Sequence, residues 1–313
     1  MSLDHLLWTE RYRPKTIAEC ILPDRLKAPF QEYVNKNEIP NLLLHGGAGV
    51  GKTTVAKAMC NEVDADYLVI NGSDETGVDM VRSKIKDFAS TMSFTGGRKV
   101  IIVDEADYLS PNAQAAFRNV IEEFASNCSF IFTCNFKNKI IDPLHSRCAV
   151  VDFTLKSPEK TGMAGQFFKR VSGILAEENV KFDPKVIAEV VKKHFPDFRR
   201  VLNELQRYSS NADRTIDVGI LSQVGDVSMG EVIKFLKDKD FGALRKWVAS
   251  TDIDPATLYR KLYDGMYDVL QPQSIPQAVI ILADYQYKHA FVADAEINTV
   301  ACLTELMVGV EFK

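Results

Sequence analysis

The sequence lacks a long apolar run, a paired cysteine motif and an excess of positive charge. Its longest unbroken apolar stretch is Ala278–Ala283, far shorter than the roughly 20 residues that cross a bilayer. The six cysteines form no CxxC pair and have no histidine at metal-ligand spacing, which argues against a zinc module and favours a reduced compartment. The net charge of −4 argues against coating nucleic acid by bulk charge alone. With no signal-like pattern in residues 1–14, we expect an intracellular, soluble protein with no membrane partner.

What the sequence does contain is the composition of an ordinary globular protein. Hydrophobic residues make up 46% and charged residues 26% of the sequence. Its 313 residues are enough for two or three domains, each with its own core. From residue 40 to about 153, short apolar runs alternate with amphipathic segments. That alternation is typical of a parallel, three-layer α/β sheet. After Lys156-Ser157-Pro158 the apolar residues recur at three- and four-residue spacing, which predicts helices throughout.

The pattern divides the chain into an α/β nucleotide-binding domain at 1–155, a helical lid at 156–226 and a helical C-terminal domain at 227–313. The predicted strands are Asn41–His45, Tyr67–Asn71, Lys99–Val103, Ser129–Thr133 and Ala149–Phe153. Helices are predicted to begin near Thr53, Gly77 and Pro111 and to cover Pro184–Lys193 and Phe198–Ser209. In the last domain, the prolines that mark probable helix starts are Pro255, Pro272 and Pro276.

The segment Gly46–Thr53 fits the pattern G-x-x-x-x-G-K-[ST] of a phosphate-binding loop. An apolar run precedes it and a helix-like stretch follows, as that loop requires. Glycines let successive backbone N–H groups turn toward one anion, and the helix N-terminus adds partial positive charge. Lys52 can then reach the β- and γ-phosphates, and the hydroxyl of Thr53 can bind Mg²⁺. We therefore predict nucleotide binding, rather than a chance glycine-rich turn, at the following residues: Gly46, Gly49, Val50, Gly51, Lys52, Thr53 and Thr54.

Two adjacent carboxylates end the apolar run that begins at Val100. In enzymes with this type of loop, the acid at such a strand end holds Mg²⁺, and Asp104 fits that role. Its neighbour Glu105 is placed to act as a general base on the attacking water. An acidic boundary between a strand and a loop is common by itself. About fifty residues after a phosphate-binding loop, however, the catalytic interpretation is favoured.

Three further polar residues become candidates for the site only because a phosphate-binding loop and a pair of carboxylates precede them in the chain. Asn135 follows an apolar run that a parallel sheet would place beside the phosphate-binding loop, although an asparagine after a strand is more often a turn residue. Arg147 lies in a loop marked by Pro143, where a lone arginine is usually solvated. Arg199 opens a predicted helix, where a cation opposes the helix dipole, and this unfavourable placement suggests an anionic partner.

Together these motifs resemble the clamp-loader clade of AAA+ ATPases along nearly the whole chain. Trp8–Pro14 is similar to the W-x-E-K-Y-R-P opening of replication factor C subunits, and Asn71–Gly77 is similar to their N-A-S-D-x-R-G box. Asp104–Asp107 resembles the Walker B motif of the clade, and Ser146–Cys148 resembles its S-R-C motif. Within the clade, the sequence resembles the T4-type bacteriophage loaders most, and four short segments carry this similarity: Glu19–Pro23, Thr53–Ala58, Lys193–Arg199 and Pro272–Ile275.

This resemblance implies an ATPase that uses ATP and Mg²⁺, with a role for each polar residue. Asn135 would be sensor 1, which orients water or contacts the γ-phosphate. Arg147 would be an arginine finger that acts in trans on ATP bound to the neighbouring subunit. Arg199 would be sensor 2 on the helical lid. The segment that contains Arg11 and Tyr12 would pack near the adenine.

The resemblance also implies partners: a sliding clamp, primer–template DNA, and an open pentameric spiral made of copies of this chain and a different loader subunit. The C-terminal domain would form the collar that joins the subunits, and a phage-encoded loader would work in the host cytoplasm. The candidate DNA contacts are Arg82, Lys84 and Lys86, although these cations equally fit a solvated helix face. The candidate clamp contacts are Ile121 and Phe124, which equally fit a core stripe that includes Phe117 and Val120.

The leading hypothesis is therefore a clamp-loader ATPase, in which ATP binding drives clamp opening and DNA binding, and hydrolysis releases the closed clamp. A scaffold subunit that binds nucleotide without turnover is the second hypothesis, but it would need neither Glu105 nor Arg147. The third is a different AAA+ machine, such as a branch-migration motor, which Trp8–Pro14 and Ser146–Cys148 disfavour. A monomeric nucleotide kinase would share the phosphate-binding loop but would need no arginine in trans.

Overall fold

The computed structural model describes residues 7–74, 78–91, 98–210, 214–217, 219–220, 229–250, 255–289 and 291–313, with only the backbone for 78–82. The chain divides into two compact units, Met1–Ser222 and Gln223–Lys313. The division of the first unit into 1–155 and 156–226 stays a prediction. Within the described ranges, no helix combines the length and the apolar character that crossing a membrane requires.

The first unit is built on a five-stranded sheet whose order is β2-β3-β4-β1-β5. Every neighbouring pair is parallel, so the prediction of a parallel α/β sheet is confirmed. Strands β3 and β4 are buried almost throughout, as central strands of a parallel sheet should be. The bounds are β1 Leu42–His45, β2 Tyr67–Asn71, β3 Lys99–Asp104, β4 Cys128–Cys134 and β5 Ala149–Asp152.

Helices cover both faces of this sheet. Alternate strand residues point to opposite faces, so Leu43 packs in one core cluster with Phe117, and Leu42 and Leu44 pack in a second cluster with Met59. These two clusters produce the three layers that the sequence predicts. The helices are α1 Trp8–Arg11, α2 Asp24–Asn35, α3 Lys52–Glu62, α4 Val78–Ser90, α5 Pro111–Glu123 and α6 Asp142–His145.

The rest of the first unit is helical except for one short pair of strands. Its elements are α7 Ser157–Glu177, β6 Lys181–Phe182, α8 Pro184–His194, α9 Phe198–Ser209 and β7 Thr215–Ile216. Strands β6 and β7 pair in parallel, so the expectation of helices throughout this region was incomplete. Two-residue strands are too short to show an alternating pattern in the sequence.

The second unit consists of helices around its own apolar core. The helices are α10 Met229–Asp238, α11 Phe241–Ser250, α12 Pro255–Val269, α13 Ile275–His289 and α14 Ala295–Gly309. Pro255 opens α12 as predicted, whereas Pro272 opens a 3₁₀ turn and Pro276 is the second residue of α13. In the core, the buried Asn298 Nδ2 donates to Tyr259 Oη at 3.0 Å, which satisfies a polar group that would otherwise be costly to bury.

Candidate nucleotide site

The carboxyl ends of three adjacent strands meet at one edge of the first unit's sheet. Strand β4 lies between β1 and β3. Strand β1 continues into the loop at 46–51, β3 ends at Asp104, and β4 ends just before Asn135. Parallel strands place these ends side by side, and ligands of open α/β sheets bind in this position. The residues that the sequence singles out for phosphate chemistry are therefore brought together.

The phosphate-binding loop depends on a contact with the lid region at Gly49. Its φ of +70° is left-handed, and a Cβ there would lie 1.8 Å from Asp197 Oδ1. The same Asp197 oxygen accepts a hydrogen bond from the Arg200 N–H and so caps α9. The backbone N–H of Phe198 also donates to the Gly49 carbonyl at 3.2 Å. Asp197 was not among the predicted site residues, because this contact joins segments far apart in the chain.

The ammonium of Lys52 lies inside the loop. It donates to the carbonyls of Gly46 at 2.8 Å and Gly47 at 2.7 Å, and to Asn135 Oδ1 at 2.9 Å. The residue is only 8% exposed, and burial lowers the pKa of Lys52 below its usual value. All three of these acceptors are uncharged oxygens. A buried cation in this setting favours an anionic ligand such as phosphate.

Oxygen atoms from β3, β4 and α3 meet beside Lys52. Thr53 Oγ1 donates to Asp104 Oδ1 at 2.6 Å, and Thr133 Oγ1 donates to the same carboxylate oxygen. The Glu105 N–H in turn donates to Thr133 Oγ1 at 3.1 Å. A hydroxyl and a carboxylate are hard oxygen ligands of the kind that Mg²⁺ prefers. Thr53 and Asp104 therefore fit the predicted metal site, and Thr133 fixes the orientation of the Asp104 carboxylate.

Glu105 has an unusual backbone conformation for a residue other than glycine. Its φ is +55°, in the left-handed region that costs a side-chain-bearing residue about 1–2 kcal/mol. Its carbonyl oxygen would lie 2.5 Å from a Cβ at Gly72, so the close approach of these two segments requires a glycine. Glu105 lines the same cavity as Lys52 and Thr53. Strain of this type is concentrated at functional sites.

The cavity also has an apolar lining, and residues of the N-terminal segment contribute to its wall. Leu22, Phe167 and Ile174 contribute apolar surface there, which suits a flat base. Tyr12 also lines the cavity, and its hydroxyl donates to Glu178 Oε1 at 2.7 Å. Burial, together with this carboxylate, raises the pKa of Tyr12 to about 12. Tyr12 is therefore held in its neutral, hydrogen-bonded form.

Arg11 does not line this cavity, in contrast to the sequence-based expectation. Its guanidinium forms an ion pair with Glu178 at 2.8 Å, and its side chain is 52% exposed. Arg13 lines the cavity instead, and its Nη1 donates to Thr54 Oγ1 at 3.4 Å. Arg11 is the last residue of α1, whereas Arg13 lies beyond the end of that helix.

The residues predicted to report on the nucleotide have different locations. Arg199 lines the cavity from the N-terminal end of α9. Arg147 does not line it: its Nε donates to Glu122 Oε1 at 3.0 Å, and its Nη1 donates to the Pro143 carbonyl at 2.9 Å. The Arg147 guanidinium holds the pKa of the Glu122 carboxyl below its usual value. The sequence did not predict this ion pair.

The candidate partner contacts are only partly accessible. Lys84 and Lys86 are exposed on α4, on either side of the buried Ile85, whereas the side chain of Arg82 lies outside the described residues. Ile121 is only 4% exposed and packs in the core beneath α5. It is therefore a core residue rather than a surface anchor, because α5 turns its apolar stripe toward the sheet. Phe124 is partly buried against the same cluster.

Comparison with known proteins gives matches along nearly the whole chain. Residues 42–154 match the family model described as "ATPase family associated with various cellular activities (AAA)". Residues 159–222 match the model described as "Sliding-clamp-loader large subunit, AAA+ ATPase lid domain".

Full-length relatives extend this result. The chain is 38% identical to the sliding-clamp-loader large subunit of Enterobacteria phage T4, over 99% of this chain and 98% of that protein. It is also 38% identical to the large subunit of Escherichia phage RB69, over 100% and 98% of the two chains. Identity to the replication factor C small subunit of Methanoregula boonei is 33%, over 85% of each chain. A RuvB structure from Thermotoga maritima aligns with a TM-score of 0.54 at 17% identity, over 80% of this chain and 85% of that chain, and this similarity concerns the fold alone.

Proposed function

Because the chain belongs to the sliding-clamp-loader family of AAA+ ATPases, we propose that it is the ATPase subunit that loads a ring-shaped clamp onto primed DNA. The observation that supports this most strongly is the meeting of Lys52, Thr53 and Asp104 with Asn135 at one sheet edge, closed by a clamp-loader lid. A nucleotide bound there would contact the sheet, the lid and the N-terminal segment together. Its state could therefore change how these parts are arranged.

The proposed reaction is attack of water on the γ-phosphorus of ATP, which breaks the bond to the β-phosphate oxygen and gives ADP and phosphate. Lys52 binds the β- and γ-phosphates. Thr53 and Asp104 would hold Mg²⁺, which neutralises charge on the phosphates when it is bound. Glu105 accepts a proton from the attacking water. Asn135 orients that water or contacts the γ-phosphate.

Two arginines connect this reaction to the protein's conformation and assembly. Arg199, on α9, contacts the nucleotide from the lid side. Arg147 acts in trans on the site of a neighbouring subunit, so that hydrolysis depends on assembly. In the single chain Arg147 is paired with Glu122, and the partner subunit's nucleotide competes with that carboxylate. Exposed ion pairs are weak, so this competition is easily won by a phosphate.

We propose that the partners follow those of the family: a sliding clamp, primer–template DNA, and a pentameric spiral of copies of this chain with a different loader subunit. Lys84 and Lys86 are candidate phosphate contacts on α4, together with Arg82. The end of α5 near Phe124 is the candidate clamp contact. The second unit, Gln223–Lys313, would form the collar. In a phage infection the protein would work in the host cytoplasm.

The test is steady-state ATP hydrolysis by the purified chain, alone and with its partner subunit, clamp and primed DNA. We expect strong stimulation only when clamp and DNA are both present. The variant Glu105→Gln should retain nucleotide binding and lose turnover, which removes contaminating activity as an explanation. Hydrolysis that ignores the clamp but is coupled to unwinding or branch migration would overturn the proposal in favour of another AAA+ machine.

The role of Arg147 is tested separately by mixing subunits. Arg147→Ala should leave ATP binding unchanged and abolish DNA-stimulated hydrolysis in the assembled complex. Wild-type chains mixed with this variant should lose activity per wild-type site, because some sites then face an alanine. Arg207→Ala is a matched control, since Arg207 is also an exposed arginine paired with a glutamate of its own chain. Unchanged activity per site in the mixture would show that Arg147 does not act in trans.

A further inference from the structure

A buried carboxylate beside the candidate site has no role in the chemistry described so far. Asp107 is 7% exposed and lies in the 3₁₀ turn Ala106–Tyr108, directly after the end of β3. Its Oδ2 accepts hydrogen bonds from the backbone N–H groups of Asn135, at 3.3 Å, and Phe136, at 3.2 Å. One side chain on the β3 side therefore holds the backbone at the point where the chain leaves β4.

Burying a carboxylate to accept hydrogen bonds from two backbone amides costs more free energy than burying an uncharged acceptor. An ionised carboxylate is costly to bury unless it is paired with a cation or fully hydrogen-bonded. None of the ion pairs in the described part of the chain includes Asp107. Its Oδ1 is buried with no hydrogen-bond partner among the described residues. A water molecule or a serine could cap two amides at lower cost, so stability alone does not account for this aspartate.

The position of the two amides suggests what the carboxylate does. Asn135 Oδ1 accepts a hydrogen bond from Lys52 Nζ at 2.9 Å, so the Asn135 side chain projects into the phosphate site. Its direction depends on the backbone turn that begins at its own N–H. Asp107 fixes that N–H and the next one, and Thr133, two residues earlier, is bound to Asp104. The end of β4 is therefore held by carboxylates from the β3 side at two points.

We propose that Asp107 is a positioning residue for ATP hydrolysis, which fixes the turn after β4 so that the Asn135 carboxamide stands at the γ-phosphate position beside Lys52. This inference rests on the proposed function, since it concerns the residue through which Asp107 acts. Small displacements of a positioned group are costly: a shift of about 1 Å can reduce a rate by about a hundredfold. Asp107 does not itself contact the nucleotide in this proposal.

The first experiment measures amide hydrogen exchange at Asn135 and Phe136 in the protein without nucleotide. Asp107→Ala should increase exchange at both amides by about tenfold or more, and Asp107→Asn, which keeps one acceptor oxygen, should increase it less. Asp142→Ala is the control, because Asp142 is an exposed aspartate at the start of α6 that makes no capping hydrogen bond. Unchanged exchange at the two amides in Asp107→Ala would overturn the proposal without reference to activity.

The second experiment is a double-mutant cycle on turnover in the assembled loader. Asp107→Asn should lower kcat by about ten- to a hundredfold with little change in KM. In an Asn135→Ala background the same substitution should have almost no further effect, because its target is already gone. Equal losses in both backgrounds would mean that Asp107 does not act through Asn135, and would overturn the proposal. A thermal melt of each variant confirms that it is folded.

The two experiments separate this inference from the function on which it rests. If Asn135→Ala leaves kcat unchanged, the proposed role of Asn135 fails, and the positioning role for Asp107 fails with it even when the exchange result is positive. If Asn135→Ala lowers kcat but Asp107→Asn does not, only the inference about Asp107 is wrong.

Discussion

At the scale of single residues, the phosphate-binding loop contains glycines with different physical reasons to be glycine. Gly49 has a left-handed φ and faces Asp197 of the lid region, whereas a Cβ on Gly47 would meet nothing closer than Val50 Cγ1 at 3.9 Å. Both are small residues of one loop in the sequence. Only the folded chain distinguishes the position that cannot accept a side chain from the one that can.

We therefore predict that alanine is harmful at one of these two glycines and nearly neutral at the other. Gly49→Ala should lower the free energy of unfolding by about 2 kcal/mol or more, because a left-handed alanine costs about 1–2 kcal/mol and the Asp197 carboxylate must also move. It should also weaken ADP binding, since the loop and the cap of α9 share this contact. Gly47→Ala should change stability by no more than about 0.5 kcal/mol. Denaturant unfolding and ADP titration check both, and equal effects of the two substitutions would contradict the prediction.

His45 gives a second prediction at this scale, because it ends β1 just before the loop. Burial lowers the pKa of His45 below its usual value. Asp152, whose Oδ1 lies 3.7 Å from Nδ1, raises the pKa, and Lys137, His145 and Lys52 lower it further. Below the unfolded pKa of about 6.5 the unfolded chain binds a proton that the folded chain does not. The contribution of His45 to stability is therefore complete above about pH 6.5 and is lost as the pH falls.

The measurement compares the wild type with His45→Gln in denaturant unfolding between pH 7 and pH 5. The wild type should lose more stability over this range than the variant, because glutamine does not titrate. Asp152 also has a pKa below its usual value, so its effect belongs to more acidic solutions. A constant difference between the two curves across this range would show that His45 is not held neutral by the fold.

At the scale of elements, the sheet and its phosphate-binding edge were largely predictable from the sequence. Each central strand is a short apolar run bounded by polar residues, and parallel topology then places Lys52, Asp104 and Asn135 at one edge. Local pattern was sufficient there because burial on both faces leaves a continuous apolar signal. The start of α5 at Pro111 was predictable for a similar reason, since Ser110 caps the helix and proline suits its first position.

The parts that the sequence did not reveal depend on contacts between distant segments. Gln114 is 2% exposed, and its side chain binds the carbonyl of Lys139 and the N–H of Ile141. In the sequence it is an ordinary polar residue of an amphipathic helix. Asp107 was noticed only as the end of the segment that resembles Walker B. Its hydrogen bonds to the turn after β4, and the ion pair of Glu122 with Arg147, could not be predicted, because an acid on a helix or turn is usually solvated. Ile121 was open to two interpretations because helical periodicity does not say what covers the apolar stripe.

The N-terminal segment gives a prediction about how two elements are held together. The backbone N–H of Trp8 donates to Gln206 Oε1 at 2.9 Å, and Arg170 Nη2 donates to the Tyr12 carbonyl at 3.0 Å. Glu178, just after α7, binds both Tyr12 Oη and Arg11. Since Tyr12 and Arg13 of this segment line the cavity, loosening the segment should expose the cavity to more water.

We predict that Glu178→Ala weakens ADP binding by about three- to tenfold, through loss of a charge-assisted hydrogen bond and an ion pair. Trypsin should also cut faster after Arg11, and Trp8 fluorescence should shift to longer wavelength. The matched control is Glu177→Ala, because Glu177 is the exposed neighbour at the end of α7. If the two variants bind ADP equally well and are cut at equal rates, Glu178 does not hold the segment.

At the scale of the whole molecule, the chain has separate apolar cores in its two units. The clusters around β1 and β3 belong to the first unit, and a third cluster that includes Trp247 and Leu303 belongs to the second. All of the described residues that line the candidate nucleotide site belong to the first unit. Bound nucleotide should therefore raise the free energy of unfolding of the first unit directly. The other unit should gain this stability only if the two unfold together.

We predict two unfolding transitions when the whole chain is heated in a calorimeter, because each unit can lose its own core cooperatively. ADP with Mg²⁺ should move only the transition of Met1–Ser222, since a ligand at a hundred times its Kd adds about 2.7 kcal/mol to the state that binds it. The variant Lys52→Ala should show both transitions and little movement with ADP, which ties the shift to the phosphate-binding loop. A single transition that moves as a whole with ADP would contradict the prediction. It would mean that the two cores unfold as one cooperative unit and that nucleotide binding stabilises Gln223–Lys313 as well.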